Sequence, residues 1–293
     1  MQVHPRWRQL PGETLVLHGR AGRNDGYPYV EGSPGTGVGQ HFPKLPARLT
    51  GRRQEREQYQ APQLLPATWP ACKARAVRVG VLGGTGPAGS ALAVRLAASG
   101  VEVVIGSRSE ARAAGVVAEL AQRWAGRGLP LLAGDNRAAA GADIVVLATP
   151  WEGALSTVSA LGGELAGKIL VSMVNAMVRW GERFVPLLPP TGSVAVAVAG
   201  AVPQAKVAGA FHHLPARPFG DLERKVEADV MVFSGDRATT DEVIALVGRI
   251  PGLRGLDVGG LGSALAVEAL TPALVELNRR YKAQASLRVT GVG

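Results

Sequence analysis

A chain of 293 residues has room for one large domain or two small ones, and its 46% hydrophobic and 19% charged content suits a packed core. A single cysteine, Cys72, excludes a disulfide framework and a cysteine metal site and fits a reducing cytoplasm. No uninterrupted apolar run reaches the roughly eighteen residues of a membrane span. The net charge of +9 is concentrated in residues 1–75, which carry eleven Lys and Arg against five Asp and Glu, while 76–293 carry 21 against 18. With no spacing among the aromatics of that first quarter, the charge gives no sign of a nucleic-acid partner.

Residues 1–75 are dense in Pro, Gly, Arg and Gln, lack periodicity, and read as a disordered basic tail; a docking arm is the sharper alternative. The texture changes at Val77. An apolar run, Val77–Leu82, precedes a glycine-rich turn and a helix over Ser90–Ser99 that Gly100 ends in the left-handed conformation. Val101–Ile105 is a second strand, and Ser109 caps a helix reaching about Trp124. A weak strand near Leu129–Ala133 and a short helix near Arg137–Ala140 follow. Asp143–Ala148 is a buried strand, a helix runs from about Glu152, and Lys168–Val174 is another strand. The segment Ser193–Ala201 alternates like a strand but stands where a helix is expected. Further strands are expected at Lys206–Phe211, Asp229–Phe233 and Leu253–Asp257, with helices at Thr240–Ile250 and Ser263–Gln284. Strand–helix alternation with continuously apolar strands predicts an α/β fold of Rossmann type, a doubly wound parallel sheet covered on both faces.

Gly84, Gly86 and Gly89 form G-x-G-x-x-G between a strand and a helix, and Gly83, Gly86 and Gly89 fit a looser spacing. The first glycine is expected to permit the turn, the second to admit a pyrophosphate, and the third to pack helix on strand. The second strand ends Gly106-Ser107-Arg108, with Arg112 one helical turn later. No carboxylate stands from Gly106 to Ser109, where an NAD enzyme holds the ribose hydroxyls. A hydroxyl and two guanidiniums suit the 2′-phosphate of NADP(H). The bland alternative makes both arginines a solvated helix face.

GGTGPAG, IGSRSEAR, Thr149-Pro150-Trp151-Glu152, His212-His213-Leu214-Pro215-Ala216 and Leu270-Thr271-Pro272, in that order, resemble the NADPH-dependent coenzyme F420 reductases over roughly 77–293. The resemblance implies hydride transfer between NADP(H) and the 5-deazaflavin co-substrate F420, a Rossmann domain over 76–216, and a carboxyl-terminal portion, 217–293, that completes the sheet and the deazaflavin cleft. It also implies a homodimer. By position, Thr85, Pro87 and Ala88 would cradle the pyrophosphate with the glycines, and Ser107, Arg108 and Arg112 the 2′-phosphate. Thr149, Pro150 and Trp151 would line the path to the nicotinamide, and Ala216 would touch its end. His212, Leu214 and Pro215 would face the deazaflavin, with Val174 and Asn175 nearby, and His212 could tune charge beside the deazaflavin carbonyls. Lys206, Arg217, Arg279 and Arg280 are candidates for the acidic tail of F420.

Hydride exchange between two bound cofactors asks the protein for positioning and water exclusion, which agrees with the lack of a nucleophile–base pair or metal cluster in the sequence. Two rival readings stand beside this one. They are a non-catalytic NADP(H) sensor and a reductase of another acceptor, such as a flavin or ferric complex. A short-chain carbonyl reductase is excluded, because none of the four tyrosines begins Tyr-x-x-x-Lys.

Overall fold

The computed structural model describes residues 77–292, so the expected tail at 1–75 lies outside the described residues. The elements run β1 (Arg78–Leu82), α1 (Pro87–Ala98), β2 (Glu102–Ser107), α2 (Glu110–Arg123), β3 (Leu131–Asp135), α3 (Asn136–Ala140), β4 (Ile144–Leu147), α4 (Trp151–Ser159), α5 (Gly162–Leu165) and β5 (Ile169–Ser172). A hairpin of β6 (Met177–Trp180) and β7 (Arg183–Pro186) leads to α6 (Val194–Ala201), β8 (Lys206–Gly209), α7 (Ala216–Phe219), β9 (Ala228–Ser234), α8 (Arg237–Gly248), β10 (Leu253–Asp257) and α9 (Ala264–Tyr281).

Eight strands form one sheet in the order β3-β2-β1-β4-β5-β8-β9-β10. The six from β3 to β8 are parallel; β9 is antiparallel to β8, and β10 is parallel to β9. The strands are apolar on both faces because both are covered. Val79, Val81, Ile144 and Val146 enter one core with α1 and α8, while Leu82, Val145 and Leu147 enter the other with α3, α4 and α6. Gly80 lets α3 lie on β1, since a Cβ there would overlap the Ala139 carbonyl.

The sheet is parallel as expected except at one junction, where β9 runs antiparallel to β8. After β8 the chain does not cross beneath the sheet through a long helix. It bends at Phe211 (φ 64°), makes the single turn α7, and returns from the same edge, so its next strand must run backwards. That bend also ends β8 at Gly209, two residues before the expected strand end. Gly100 does terminate α1 in the left-handed conformation (φ 80°), and Ser109 does cap α2, accepting the Arg112 amide at 3.3 Å.

Ser193–Ala201 resolves as helix α6, against the β-branched alternation of its sequence. Ser193 Oγ accepts the Val196 amide at 3.1 Å, and the Glu268 carboxylate of α9 accepts the Val194 and Ala195 amides at 2.9 Å each. A cap supplied from 73 residues away overrides local propensity. Beyond α9, Asp229 and Arg254 form a two-pronged ion pair at 2.8 and 2.9 Å that holds the final segment, with Val289 N donating to Asp229 at 2.6 Å.

Candidate active site

Parallel β2, β1, β4, β5 and β8 send five C-terminal ends to one edge, and each sequence-predicted group follows one of them. Ser107 closes β2, the glycines follow β1, Thr149–Trp151 follow β4, Val174–Asn175 follow β5, and His212–Ala216 follow β8. From β2 to β8 is four strand spacings, about 19 Å, the scale of an extended dinucleotide with a second ring beyond it.

In the glycine turn, the left-handed residue is Gly83 (φ 70°), one position before the expected Gly84. Gly84 is small for another reason: its amide donates to Gly106 O at 2.9 Å, and a Cβ would lie 2.9 Å from Val81 O. Gly89 packs α1 on β1, since a Cβ would stand 2.9 Å from Gly84 Cα and 3.1 Å from Ala148 Cβ. Gly86 differs from all three. Its φ is −79°, and a Cβ would meet only Gly83 O at 3.5 Å, an ordinary contact. Neither backbone nor packing demands glycine there, and the space in front of it is open. The amides of Thr85, Ala88 and Gly89 donate to no partner among the described residues, and the first turn of α1 has no acidic residue. Free amides at the positive end of a helix suit a diphosphate.

Ser107 is buried, and its Oγ accepts the Ser109 amide at 3.3 Å, which leaves the hydroxyl proton free to donate. Arg108 and Arg112 are exposed, and their guanidiniums have no partner among the described residues; Glu110 pairs with neither. At the end of β4, the Thr149 methyl abuts Gly83, and Pro150 precedes α4. Thr149 Oγ1 and Trp151 Nε1 are buried with no hydrogen-bond partner among the described residues. Buried polar atoms are rarely left unpaired, and a ligand running along this edge would satisfy both.

At the β8 end, His212 is 3% exposed, stacks on Phe233 at 5.6 Å, and leaves both ring nitrogens unpartnered among the described residues. Burial first, and His213 second, lower its pKa to about 3. The imidazole is therefore neutral at any working pH, and the expected tuning of charge gives way to hydrogen bonding alone. Gly209 makes the stack possible, because a Cβ there would overlap the Phe233 ring. The His212 carbonyl accepts from Asn175 Nδ2 at 2.9 Å and Thr271 Oγ1 at 3.0 Å. Three motifs distant in sequence thus meet at one atom. Leu214 and Pro215 are half-buried, Ala216 opens α7, and the cavity of about 400 Å³ that Leu214 and Pro215 line is walled also by residues 224–227, Gln284 and Ser286 and not by His212 or Asn175. Val174 is only 3% exposed and belongs to the core.

Some assignments shift. Lys206 begins β8 at the opposite edge of the sheet, which removes it from the ligand side, and Arg279 and Arg280 are both paired with Glu276. His213 serves the fold, because its Nε2 lies 2.7 Å from Asp229 O, on the stretch of β9 that β8 leaves uncovered. Buried Arg95 of α1 donates to the carbonyls of Phe219, Asp221 and Arg224, and so ties the turn-bearing helix to the loop after Ala216. Sequence reasoning missed Phe233 and Arg95 and gave Thr271 no role. A Thr-Pro pair inside an apolar helix is a usable signal, because helix propensity alone disfavours it.

Residues 78–176 match the family described as NADP oxidoreductase, coenzyme F420-dependent. The F420-dependent NADP reductase of Methanocaldococcus jannaschii is 35% identical over 222 residues, 74% of this chain and 99% of that protein. The chain belongs to this family. The F420-dependent NADP reductase of Methanothermobacter thermautotrophicus is 30% identical over 229 residues, 75% of this chain and 97% of its own length. In structure, a protein from Arthrobacter sp. FB24 assigned as an F420-dependent NADP reductase superposes with a TM-score of 0.60 and 27% identity, covering 74% of this chain and all of that one.

Proposed function

We propose that this chain transfers a hydride between NADP(H) and the deazaflavin coenzyme F420. The observation that carries the reading is the single edge on which a free-amide turn, two unpaired arginines and a buried neutral histidine follow the parallel strands β1, β2 and β8. When bound, the two co-substrates supply the redox chemistry, a hydride passing between nicotinamide C4 and deazaflavin C5 with one proton exchanged with solvent.

The chain's own groups bind, orient and exclude water. Amides at Thr85, Ala88 and Gly89 take the diphosphate over Gly86, and Ser107, Arg108 and Arg112 take the 2′-phosphate. Thr149, Pro150 and Trp151 line the way between, and Ala216 abuts the nicotinamide end. His212, Leu214, Pro215 and Asn175 face the acceptor ring, where the neutral imidazole offers one N–H and one lone pair. Catalysis comes from holding two rings at short range in a dry site, with no side chain forming a covalent bond. Residues 217–293 complete the acceptor cleft. A cytoplasmic homodimer fits the family, and exposed Trp180, Leu188 and Tyr281, each at least 70% accessible, are candidates for covered surface.

Mixing the purified protein with NADPH and oxidised F420 should bleach the deazaflavin absorbance, with NADH far less effective. No bleaching across the pH range would remove this function.

A further inference from the structure

Helix α9 presents two polar side chains to the interior within one turn, Glu268 (4% exposed) and Thr271 (8% exposed). Glu268 is accounted for by the cap on α6. Thr271 is not. A threonine inside a helix ordinarily turns its hydroxyl back to a carbonyl of its own preceding turn. This one reaches across instead, 3.0 Å from His212 O and 3.1 Å from Asn175 Oδ1, while Asn175 Nδ2 itself donates to His212 O at 2.9 Å. One hydroxyl proton is shared between two acceptors, and the three groups close a triangle joining α9 to the loops after β5 and β8.

What the triangle restrains is a strained bend. Phe211 is a bulky residue at φ 64°, 1% exposed, immediately before His212. A side chain of that size holds a left-handed conformation only where its surroundings impose it. Among the described residues, the donors on the His212 carbonyl are Asn175 and Thr271, and the ring is backed by Phe233.

We infer that Thr271 is a positioning residue: through the His212 carbonyl and the Asn175 side chain it fixes the Phe211–His212 bend, and with it the imidazole at the acceptor end of the site. The inference rests on the function proposed above, because only an acceptor lying against His212 gives that placement a kinetic consequence. Among the described residues Thr271 hydrogen-bonds to Asn175 and His212 and to no group of the glycine turn or of β2, so its loss should move the KM of one co-substrate and not that of the other.

The test is steady-state kinetics of Thr271→Val, Thr271→Ala and Thr271→Ser with both co-substrates varied, alongside amide hydrogen exchange of residues 211–214. Val and Ala should lower kcat/KM for F420 by about ten-fold or more, as small misplacements of a reacting partner do, while the NADPH KM stays within about two-fold. Ser, which keeps the hydroxyl, should recover most of the loss. Exchange at 211–214 should quicken in Val and Ala and return toward wild type in Ser. An unchanged F420 KM and kcat in a folded Val or Ala variant overturns the inference, as does an equal rise in KM for both co-substrates or a Ser variant no better than Val. If Val fails to fold, Ala against Ser decides. A wild type inert toward F420 would sink the function instead, and exchange at 211–214 alone would then decide whether Thr271 holds the bend.

Discussion

At the β1–β2 end of the sheet edge the groups proposed to work are free backbone amides and exposed guanidiniums, whereas at the β5–β8 end they are buried or half-buried, uncharged and in part bonded to one another. In the proposed reading the first end recognises charge. It can leave its arginines in water because phosphate brings the opposite charge with it, and each contact forms only when ligand arrives. In the same reading the second end takes a flat ring, which offers little charge to grip, so its shape must exist before binding. Pre-formed shape needs internal hydrogen bonds and a stacked ring behind it, and here it also needs the left-handed Phe211. Exposed recognition tolerates substitution in folding but not in affinity; buried recognition couples the two.

The largest break in that contrast should come from Arg108→Ala combined with Arg112→Ala. Charged hydrogen bonds are worth about 1.5–3 kcal/mol each, so kcat/KM for NADPH should fall on the order of 100-fold or more while that for NADH barely moves. Equal losses with both nucleotides would return these arginines to a solvated helix face. Next come two alanines in the same turn. Gly86→Ala should weaken NADPH binding about ten-fold and leave the thermal midpoint within a few degrees, since its Cβ meets only Gly83 O at 3.5 Å. Gly89→Ala should instead cost about 1–3 kcal/mol of stability, because its Cβ would stand 2.9 Å from Gly84 Cα. Titration calorimetry beside thermal melts separates the pair, and a Gly86→Ala that melts like Gly89→Ala contradicts the assignment.

The buried end can be probed by pH. Burial, then His213, holds His212 near a pKa of about 3, against about 6.5 in the unfolded chain. Between those values the unfolded state binds the extra proton, so stability is whole above pH 6.5 and is lost as pH falls toward 3, by up to about 1.4 kcal/mol per pH unit. His213, also lowered chiefly by burial, adds in the same direction. Urea midpoints from pH 7 to pH 4 should show the slope, and His212→Asn should flatten it; an equal slope in the variant counts against a buried neutral histidine. The smallest effect is expected from deleting residues 1–75. The M. jannaschii relative is matched over 99% of its length by only 74% of this chain, so the fold exists there without the remaining quarter. Rate and melting temperature should both survive the deletion.

Much of the dinucleotide end was legible in the chain because its parts are contiguous. The turn, Ser107, Arg108 and Arg112 span thirty residues, and each element between them is announced by its own signal: an apolar strand, a glycine stop at Gly100, a serine cap at Ser109. Even there the left-handed glycine fell one position early, at Gly83, since two overlapping glycine spacings fit the sequence equally. The acceptor end was legible only as motifs. His212 and Asn175 stand 37 residues apart and Thr271 a further 59 beyond His212, and no local rule says that their polar atoms converge.

What the sequence by itself determined was most of the strands and helices and their order, though not the β6–β7 hairpin, α5 or α7, together with a glycine turn after β1 and no carboxylate from Gly106 to Ser109, because these depend on periodicity and on which residues stand side by side. Only the tertiary structure decided that Val194–Ala201 is helical, that β9 runs backwards, and that His212 is neutral. Each of those turns on a distant group: Glu268 capping α6, the Phe211 bend reversing the chain, and burial against Phe233 stripping water from the imidazole. Local signals can be read along a chain; desolvation and long-range hydrogen bonds exist only once the chain has closed on itself.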